Sequence, residues 1–348
     1  MSDQAVNALL ALGLGTVAAI VLLIPTAAVQ YRLDGRLGPR DLMVLVGAAV
    51  YGLALWTYTL LPTPPRGDYR CRTPQLDLFG TISLIGLPEQ GGVRALLREP
   101  ALLQVALNVM LFVPLGYFVR VIARRGVAVA TAGGLAVSLL IEVTQRTGDW
   151  GLYHCAYRRF DVDDLLVNTL GALVGSLLSL LVVRRRTGAA PPLPTSISWG
   201  RRMIGMLCDG LFVVMVGAAV ALLWRFLMVY VLETRPHVPE QVLLQWLVPF
   251  ALEAVCVLAL GRTVGELVIS VRAHARRRGG ELSARMVKIA AGIGPVCVLG
   301  LAPIPGRHWL LAAYLLVTVA ATVRTAEHRG LSHLVAGMDL RITAADDL

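Results

Sequence analysis

Charged and polar side chains that could do chemistry crowd together just before one apolar stretch of the sequence. The segment RRFDVDDLLVNTLGALVG, residues 158–175, carries two arginines and three aspartates, and the chain then stays apolar and small through Val183. Guanidinium and carboxylate groups form strong charge-assisted hydrogen bonds, and carboxylates can also transfer protons. What these groups can do depends on the elements that hold them.

The composition places those elements in a membrane. Of the 348 residues, 56% are hydrophobic and only 16% are charged, and the mean hydropathy is +0.69. Soluble domains are less apolar. Apolar runs of about 20 residues recur along the chain, and in hydrocarbon such runs must be helical. We therefore predict an all-α, polytopic membrane protein with about nine transmembrane helices, near residues 5–29, 41–61, 101–122, 127–144, 164–183, 203–232, 241–260, 286–303 and 309–323.

The net charge of +10 raises the question of a nucleic-acid partner, but its distribution argues against one. Arginines cluster near residues 32–40, 120–125, 184–186 and 276–278, in every second loop, which is the positive-inside pattern. We predict a multi-pass protein of the bacterial plasma membrane, with its N-terminus outside and its C-terminus in the cytoplasm. The single lysine, Lys288, is attributed to the base composition of the genome.

This topology puts the loops 62–100 and 145–163 outside the cytoplasm, and these loops hold Cys71 and Cys155. A disulfide between the two is chemically permitted there. The sequence leaves open whether it forms, because it cannot show that the two side chains meet. The six histidines are scattered without metal-ligand spacing, so no metal site is predicted, and no cofactor is expected.

Two helical modules are predicted on either side of a polar seam. The segment RRRTGAAPPLPTSISWGRR, residues 184–202, has basic ends and a Pro-, Gly- and Ser-rich centre that cannot form a helix. We assign a five-helix membrane domain to residues 1–186, with its core at about 40–185. A cytoplasmic Pro-rich linker follows at 187–199, and a four-helix membrane domain at 200–348.

In the first module, the few polar groups fall at one depth, near the outer ends of three helices. Aspartates at a helix N-terminus complement the helix dipole, so Asp163 and Asp164 have a purely structural explanation. Glu142 has no such structural explanation, because it lies at the C-terminal end of its helix, where the dipole opposes a negative charge. Ionisable groups at membrane depth are functional candidates. We predict a water-facing pocket, with a structural Arg–Asp–Glu network as the alternative. Its candidate residues are Asn108, Glu142, Gln145, Arg158, Arg159, Asp161, Asp164 and Asn168.

These motifs resemble those of the VanZ-like family of membrane proteins. The resemblance rests on LNVMLFVPLGYF (107–118), IEVTQ (141–145) and the segment 158–175, and it extends over about residues 40–185. It implies a cell-envelope role at the outer face of the membrane, since the founding member is linked to resistance to teicoplanin. The resemblance does not indicate a chemical reaction. The positions that match the family's pattern are Asn108, Pro114, Gly116, Glu142, Gln145, Arg159, Asp161, Asp164, Asn168 and Gly171.

The second module contains an arginine at the cytoplasmic edge of a span, where it can act as an interfacial anchor, and an aspartate buried deeper in the same span. Arg202 and Asp209 are seven residues apart, so they lie two turns apart on nearly the same helix face. The segments GRTVGELVISVRA (261–273) and RGLSHLVAGMDL (329–340) are similar to motifs of the RDD family, whose opening arginine and aspartate match Arg202 and Asp209. His333 stands where the family usually has an aspartate, which puts any inherited proton or cation chemistry in doubt.

Three hypotheses follow for function. The leading one is a non-enzymatic envelope protein whose outer pocket binds the head group of a lipid-linked cell-wall precursor or a lipophilic glycopeptide such as teicoplanin. In this hypothesis, Arg158 or Arg159 contacts a phosphate or carboxylate group of the ligand. The second is a proton- or cation-coupled transporter with stations at Glu142 and Asp209. The third is a lipid head-group-modifying enzyme with Glu142 as general base. Membrane lipids or lipid-linked precursors are the expected partners, and nucleic acids are not.

Overall fold

The computed structural model describes residues 3–61, 63–64, 69–81, 83, 98–182, 194–277 and 279–343. Helices dominate these residues, and eight of the helices described are long and apolar enough to cross a membrane. The protein is therefore a polytopic, all-α membrane protein, as the composition predicts. Residues 187–193 of the predicted linker lie outside the described part of the chain.

The first half of the chain forms five long helices. The third begins with Pro100 in its first turn, where a missing N–H group costs no hydrogen bond. It ends at Ala123, and the following residue, Arg124, caps it in a left-handed conformation with φ 53°. The helices are α1 (Asp3–Asp34), α2 (Pro39–Leu60), α3 (Pro100–Ala123), α4 (Val127–Arg146) and α5 (Val162–Val182), with a short turn at Gly148–Gly151 between α4 and α5.

The second half combines long and short helices with one small sheet. The long helix α6 continues into a π-helical turn, Leu227–Val231, and a 3-10 turn, Ala326–His328, follows α11. The helices are α6 (Trp199–Phe226), α7 (Val238–Leu260), α8 (Val264–Val268), α9 (Glu281–Ala291), α10 (Ile293–Leu301), α11 (Arg307–Arg324) and α12 (Leu331–Val335), and the strands are β1 (Val271–Ala275) and β2 (Met338–Ile342).

The chain divides into two compact units. One comprises Met1–Ala19 and Leu42–Ala189, and the other comprises Ile20–Asp41 and Ala190–Leu348. The first helix is therefore shared, since its beginning belongs to the first unit and its end to the second. In the second unit, Ala27 and Tyr31 of α1 pack into the buried core together with Cys208 of α6.

Close packing of α5 against α3 and α4 organises the first unit. A Cβ atom added at Gly175 would lie 1.8 Å from the Val113 carbonyl oxygen, and one added at Gly171 would lie 2.3 Å from the Val109 oxygen. Only glycine allows this approach of two helix backbones, which is typical of small-residue helix interfaces in membranes. The packing brings the start of α5 alongside α3 and the end of α4.

In the second unit, β1 and β2 pair antiparallel, with Ala273 opposite Leu340. Because the strands pair, the chain between them must finish on the side of the membrane from which it started. The segment Glu281–Leu301, formed by α9 and α10, is apolar enough to cross once. The pairing therefore favours α11 as a return crossing, although α11 is not among the eight helices that meet the length and hydropathy criteria.

Candidate functional site

An extended segment, residues 69–81, lies along the chain that leads into α5, and we call it the strap. Cys71 and Cys155 form a disulfide with their Cα atoms 5.6 Å apart. Farther along, the Gln75 N–H donates to the Phe160 carbonyl at 2.8 Å, and Gln75 accepts from the Val162 N–H at 3.2 Å. One covalent bond and a short backbone ladder thus fix the strap in place.

Two aspartates at the start of α5 hold the far end of the strap. Asp163 accepts the backbone N–H groups of Phe79 at 2.6 Å and Thr81 at 2.8 Å. Asp161 accepts the Thr81 hydroxyl at 2.6 Å. Asp163 is 1% exposed and uses both carboxylate oxygens on the strap, so its observed role is structural.

Beneath the strap, carboxylates from α4 and α5 meet an amide from α3. The Asp161 backbone N–H donates to the Glu142 carboxylate at 3.0 Å, and the Asn108 side chain donates to Asp164 at 2.6 Å. Glu142 and Asp161 are only 3% and 4% exposed, and Asp164 is partly buried. Glu142 is also close enough to interact electrostatically with Asp161 and Asp164. Four predicted site residues thus converge, and we call them the carboxylate cluster: Asn108, Glu142, Asp161 and Asp164.

Arg159 contacts the carboxylate cluster through Asp161. Its Nη2 donates to Asp161 and to the Thr81 hydroxyl, each at 3.2 Å. Its side chain remains 48% exposed, so part of the guanidinium faces outward. Arg159 can therefore contact a ligand without first breaking its ion pair.

The other predicted pocket residues have different partners. Gln145 and Arg158 both donate to the Thr59 carbonyl, at 2.9 and 2.7 Å, and Arg158 also donates to the Leu61 carbonyl at 3.1 Å. These are the carbonyl groups that the end of α2 leaves without a helical partner. Asn168 lies one turn deeper than Asp164 and donates to the Ser138 hydroxyl at 2.9 Å. Gln145 and Asn168 therefore join helices to one another, and Arg158 joins the segment before α5 to the end of α2.

An aromatic group borders the disulfide. The Tyr69 and Tyr153 rings meet edge to face with centroids 5.3 Å apart, and the Tyr69 hydroxyl lies 2.5 Å from Nδ1 of His154. His154, Cys71 and Cys155 also place potential metal-ligating atoms within 4.8 Å of one another. In the disulfide, however, the two sulfurs bond each other and offer no thiolate to a metal.

A second polar site lies at one end of the second unit, around the fully buried Glu266 of α8. Lys288 donates to Glu266 at 2.5 Å, Nε2 of His333 lies 2.6 Å from it, and Arg202 Nη1 lies 3.6 Å away. Burial on its own raises the pKa of Glu266, but Lys288, His333 and Arg202 outweigh it. The pKa therefore lies well below its usual range, and Glu266 is charged.

His333 serves this site as a neutral hydrogen-bond donor. Burial, reinforced by the nearby Arg202 charge, lowers the pKa of His333 to about 4. Arg202 Nη2 lies 3.3 Å from Nδ1 of His333, which places the ring proton on Nε2, facing Glu266. A histidine at this position therefore avoids placing a second carboxylate beside Glu266.

Asp209 contacts the same end of the unit but not Glu266 directly. It accepts the Thr263 hydroxyl at 3.0 Å and the Gly265 backbone N–H. Glu253 of α7 accepts the Val264 N–H at 3.2 Å. The start of α8 therefore brings two carboxyl groups from separate long helices, Asp209 and Glu253, to one place.

Sequence reasoning overlooked four residues that these sites use: Thr81, Glu253, Glu266 and Lys288. A local signal existed for Glu266, because Thr263 and Glu266 form the T-x-x-E pattern of a capping box, which the structure contains. No local signal marked Lys288 as its partner, 22 residues away. Its being the single lysine was attributed to base composition, yet Lys288 is 2% exposed in a buried ion pair.

Comparison with known proteins supports one of the two resemblances. Residues 48–183, less than half of the chain, match the VanZ/LLP1 family. No curated protein and no solved structure matches the chain. The resemblance of the second half to the RDD family stays a prediction. The N-terminal part of this multi-pass membrane protein is therefore similar to the VanZ/LLP1 family, a similarity that points to a cell-envelope membrane protein.

Proposed function

We propose that the protein binds the head group of a lipid-linked cell-wall precursor, or a lipophilic glycopeptide of the teicoplanin type, at the carboxylate cluster and Arg159. The observation that carries this proposal is the convergence of groups from α3, α4 and the start of α5, where Asp161 pairs with the half-exposed side chain of Arg159. Because the Arg159 side chain is 48% exposed while it pairs with Asp161, it can also contact a ligand from the solvent.

The charges of the site favour a particular kind of ligand. Among the described contacts, Arg159 is the cation that pairs with the cluster, against the carboxyl groups of Glu142, Asp161 and Asp164. The excess of acceptors suits a ligand rich in hydroxyl, amide or ammonium donors, and Arg159 suits a phosphate or carboxylate on the same ligand. Sugar-bearing precursors and glycopeptides carry both kinds of group.

The proposed site faces the outside of the cell. The arginine clusters near residues 32–40, 120–125, 184–186 and 276–278 favour an N-terminus outside and a C-terminus in the cytoplasm. A disulfide between Cys71 and Cys155 supports the same orientation, because such bonds persist in oxidising compartments. The strap and the carboxylate cluster then lie where a cell-wall ligand can reach them.

Antibiotic susceptibility tests this proposal. In a bacterium in which the gene confers teicoplanin resistance, Glu142→Gln and Asp164→Asn should each remove the resistance without lowering the amount of protein in the membrane. Arg70→Gln is the matched control, since Arg70 is an exposed residue of the strap outside the cluster. Resistance that survives both substitutions at the cluster would refute the assignment of the site.

A second candidate function is proton- or cation-coupled transport, favoured by the two carboxyl groups, Asp209 and Glu253, that contact the start of α8. Ionisable groups inside membrane helices are typical of proton and ion pathways. Reconstitution in proteoliposomes tests it, with ion-driven flux expected in the wild type and lost in Asp209→Asn. The absence of flux in the wild type under proton and sodium gradients would exclude this function.

A further inference from the structure

A cavity of about 310 Å³ opens in the second unit, among the start of α7, the end of α10 and the start of α11. Trp246 of α7 and Gly300 of α10 form its inner wall, and a Cβ atom added at Gly300 would lie 2.4 Å from the Trp246 ring. The cavity lies near the beginning of α7, about 20 Å along that helix from its end at Leu260. It is therefore separate from the buried Glu266 site.

Hydrogen-bond donors line one side of this cavity. Arg307 uses Nη1 to bond the carbonyls of Gly300 at 3.2 Å and Ala302 at 3.3 Å, which fixes the guanidinium at the rim. Its Nε and Nη2 atoms have no hydrogen-bond partner among the described residues. His308, the next residue, is exposed, and Gln245 adds a side-chain amide. Both arginine and histidine lie in the first turn of α11, at the positive end of its dipole.

The charge and polarity of the other lining residues indicate which ligands the cavity can bind. The described lining residues include no aspartate or glutamate, so the cavity attracts anions. Val242, Leu299 and Leu311 make the remaining surface apolar, and two of the helices that border the cavity, α7 and α10, belong to candidate membrane spans. An anionic group attached to a hydrocarbon chain fits both surfaces.

We propose that this cavity binds the phosphate of an anionic lipid head group, with Arg307 and His308 contacting the phosphate and Gln245 a neighbouring head-group oxygen. Trp246 packs against the glycerol or the first part of the acyl chain, as aromatic side chains do at membrane interfaces. The site uses none of the residues of the carboxylate cluster, so it stands independently of the function proposed above.

Lipid retention tests the proposal. The full-length protein, purified from vesicles containing equal amounts of phosphatidylglycerol and phosphatidylcholine, should retain phosphatidylglycerol preferentially when the bound lipids are counted by native mass spectrometry. His308→Asn and Arg307→Gln should each reduce that preference, Arg307→Gln by about tenfold, because each removes a charge-assisted or polar contact to the phosphate. Arg235→Gln is the matched control, an exposed arginine that does not line the cavity.

Two further comparisons distinguish lipid binding from a structural effect of the substitutions and from binding of free phosphate. Because Arg307 also holds the end of α10, His308→Asn is the variant that alters the cavity without removing a structural hydrogen bond. Equal retention by the wild type, His308→Asn and Arg235→Gln would overturn the proposal. Inorganic phosphate or glycerol phosphate that occupies the site as tightly as phosphatidylglycerol would also overturn it, because the ligand would then not be a lipid.

Discussion

The carboxylate of Glu142, at the end of α4, accepts a hydrogen bond at 3.0 Å from the backbone N–H of Asp161, just before α5. A carboxylate at a helix C-terminus is opposed by the dipole of its own helix. Here the N–H of Asp161 and the positive end of α5 compensate for that cost. The relationship ties the two helix ends together through a 3% exposed acidic group and sets the position of the carboxylate cluster.

The hydrogen bond between Asn108 and Asp164 should link α3 and α5 energetically. In a double-mutant cycle, Asn108→Ala and Asp164→Ala should show a coupling free energy of about 0.6 kcal/mol, the average for interhelical hydrogen bonds in membranes, and at most about 1.7 kcal/mol. Unfolding in mixed detergent micelles measures it. Asn108→Ala combined with Thr169→Ala should be additive, because the Thr169 hydroxyl bonds within its own helix. Additivity for the first pair would contradict the contact.

Reduction of the disulfide should destabilise the first unit. Cys71 and Cys155 are 84 residues apart, so the bond removes much conformational entropy from the unfolded chain and contributes roughly 2–4 kcal/mol. Thermal unfolding with and without a reductant should show a lower Tm after reduction. The Cys71→Ser variant should start at the lower Tm and should not respond to the reductant. An identical response in wild type and variant would show that the bond does not contribute.

The sequence predicts the carboxylate cluster better than it predicts the residues around it. Asn108, Glu142 and Asp164 could be placed at one depth because each lies near the end of an apolar run of known direction. The partners of Gln145 and Arg158 could not be predicted, because both bond carbonyls of α2 whose position depends on tertiary packing.

In the second unit, too, the sequence indicated individual polar residues but not the residues that they contact. Arg202 and His333 were singled out from motifs, but the residue that they surround, Glu266, belongs to a short helix with only a capping signal. Its ion pair with Lys288 joins two segments 22 residues apart, and neither helical periodicity nor loop composition specifies such a pair.

The stability of the second unit should fall in acid. Burial lowers the pKa of His333 to about 4, so the unfolded state binds more protons than the folded state from about pH 6.5 down to pH 4. Glu266 has a pKa well below its usual range, so its contribution is lost below about pH 4.5. Both effects make stability rise with pH.

Thermal unfolding between pH 7 and pH 4 measures this dependence. Wild type should lose stability steadily over that range, and His333→Gln should show a smaller loss between pH 6.5 and pH 4.5. His274→Gln is a suitable control, because that histidine lies in β1 outside the Glu266 site. A pH dependence unchanged by His333→Gln would contradict the assignment of a neutral His333.

Helix α11 should cross the membrane. In a variant in which Cys208, Cys256 and Cys297 are replaced by alanine, Ile304→Cys should react with an impermeant maleimide added to intact cells. Arg341→Cys, in β2 beyond α11, should react only after the cells are permeabilised. Labelling of both positions from one side would show that α11 does not cross, and reversed labelling would show that the orientation is inverted.

Direct binding tests the central claim most closely. The purified protein in nanodiscs should bind a lipid-linked cell-wall precursor or teicoplanin, and Arg159→Gln should weaken that binding by about tenfold or more, because it removes a charge-assisted contact. Arg70→Gln, in the strap but outside the cluster, should bind like the wild type. Equal affinities for wild type, Arg159→Gln and Arg70→Gln, or no binding of either ligand by the wild type, would contradict the account.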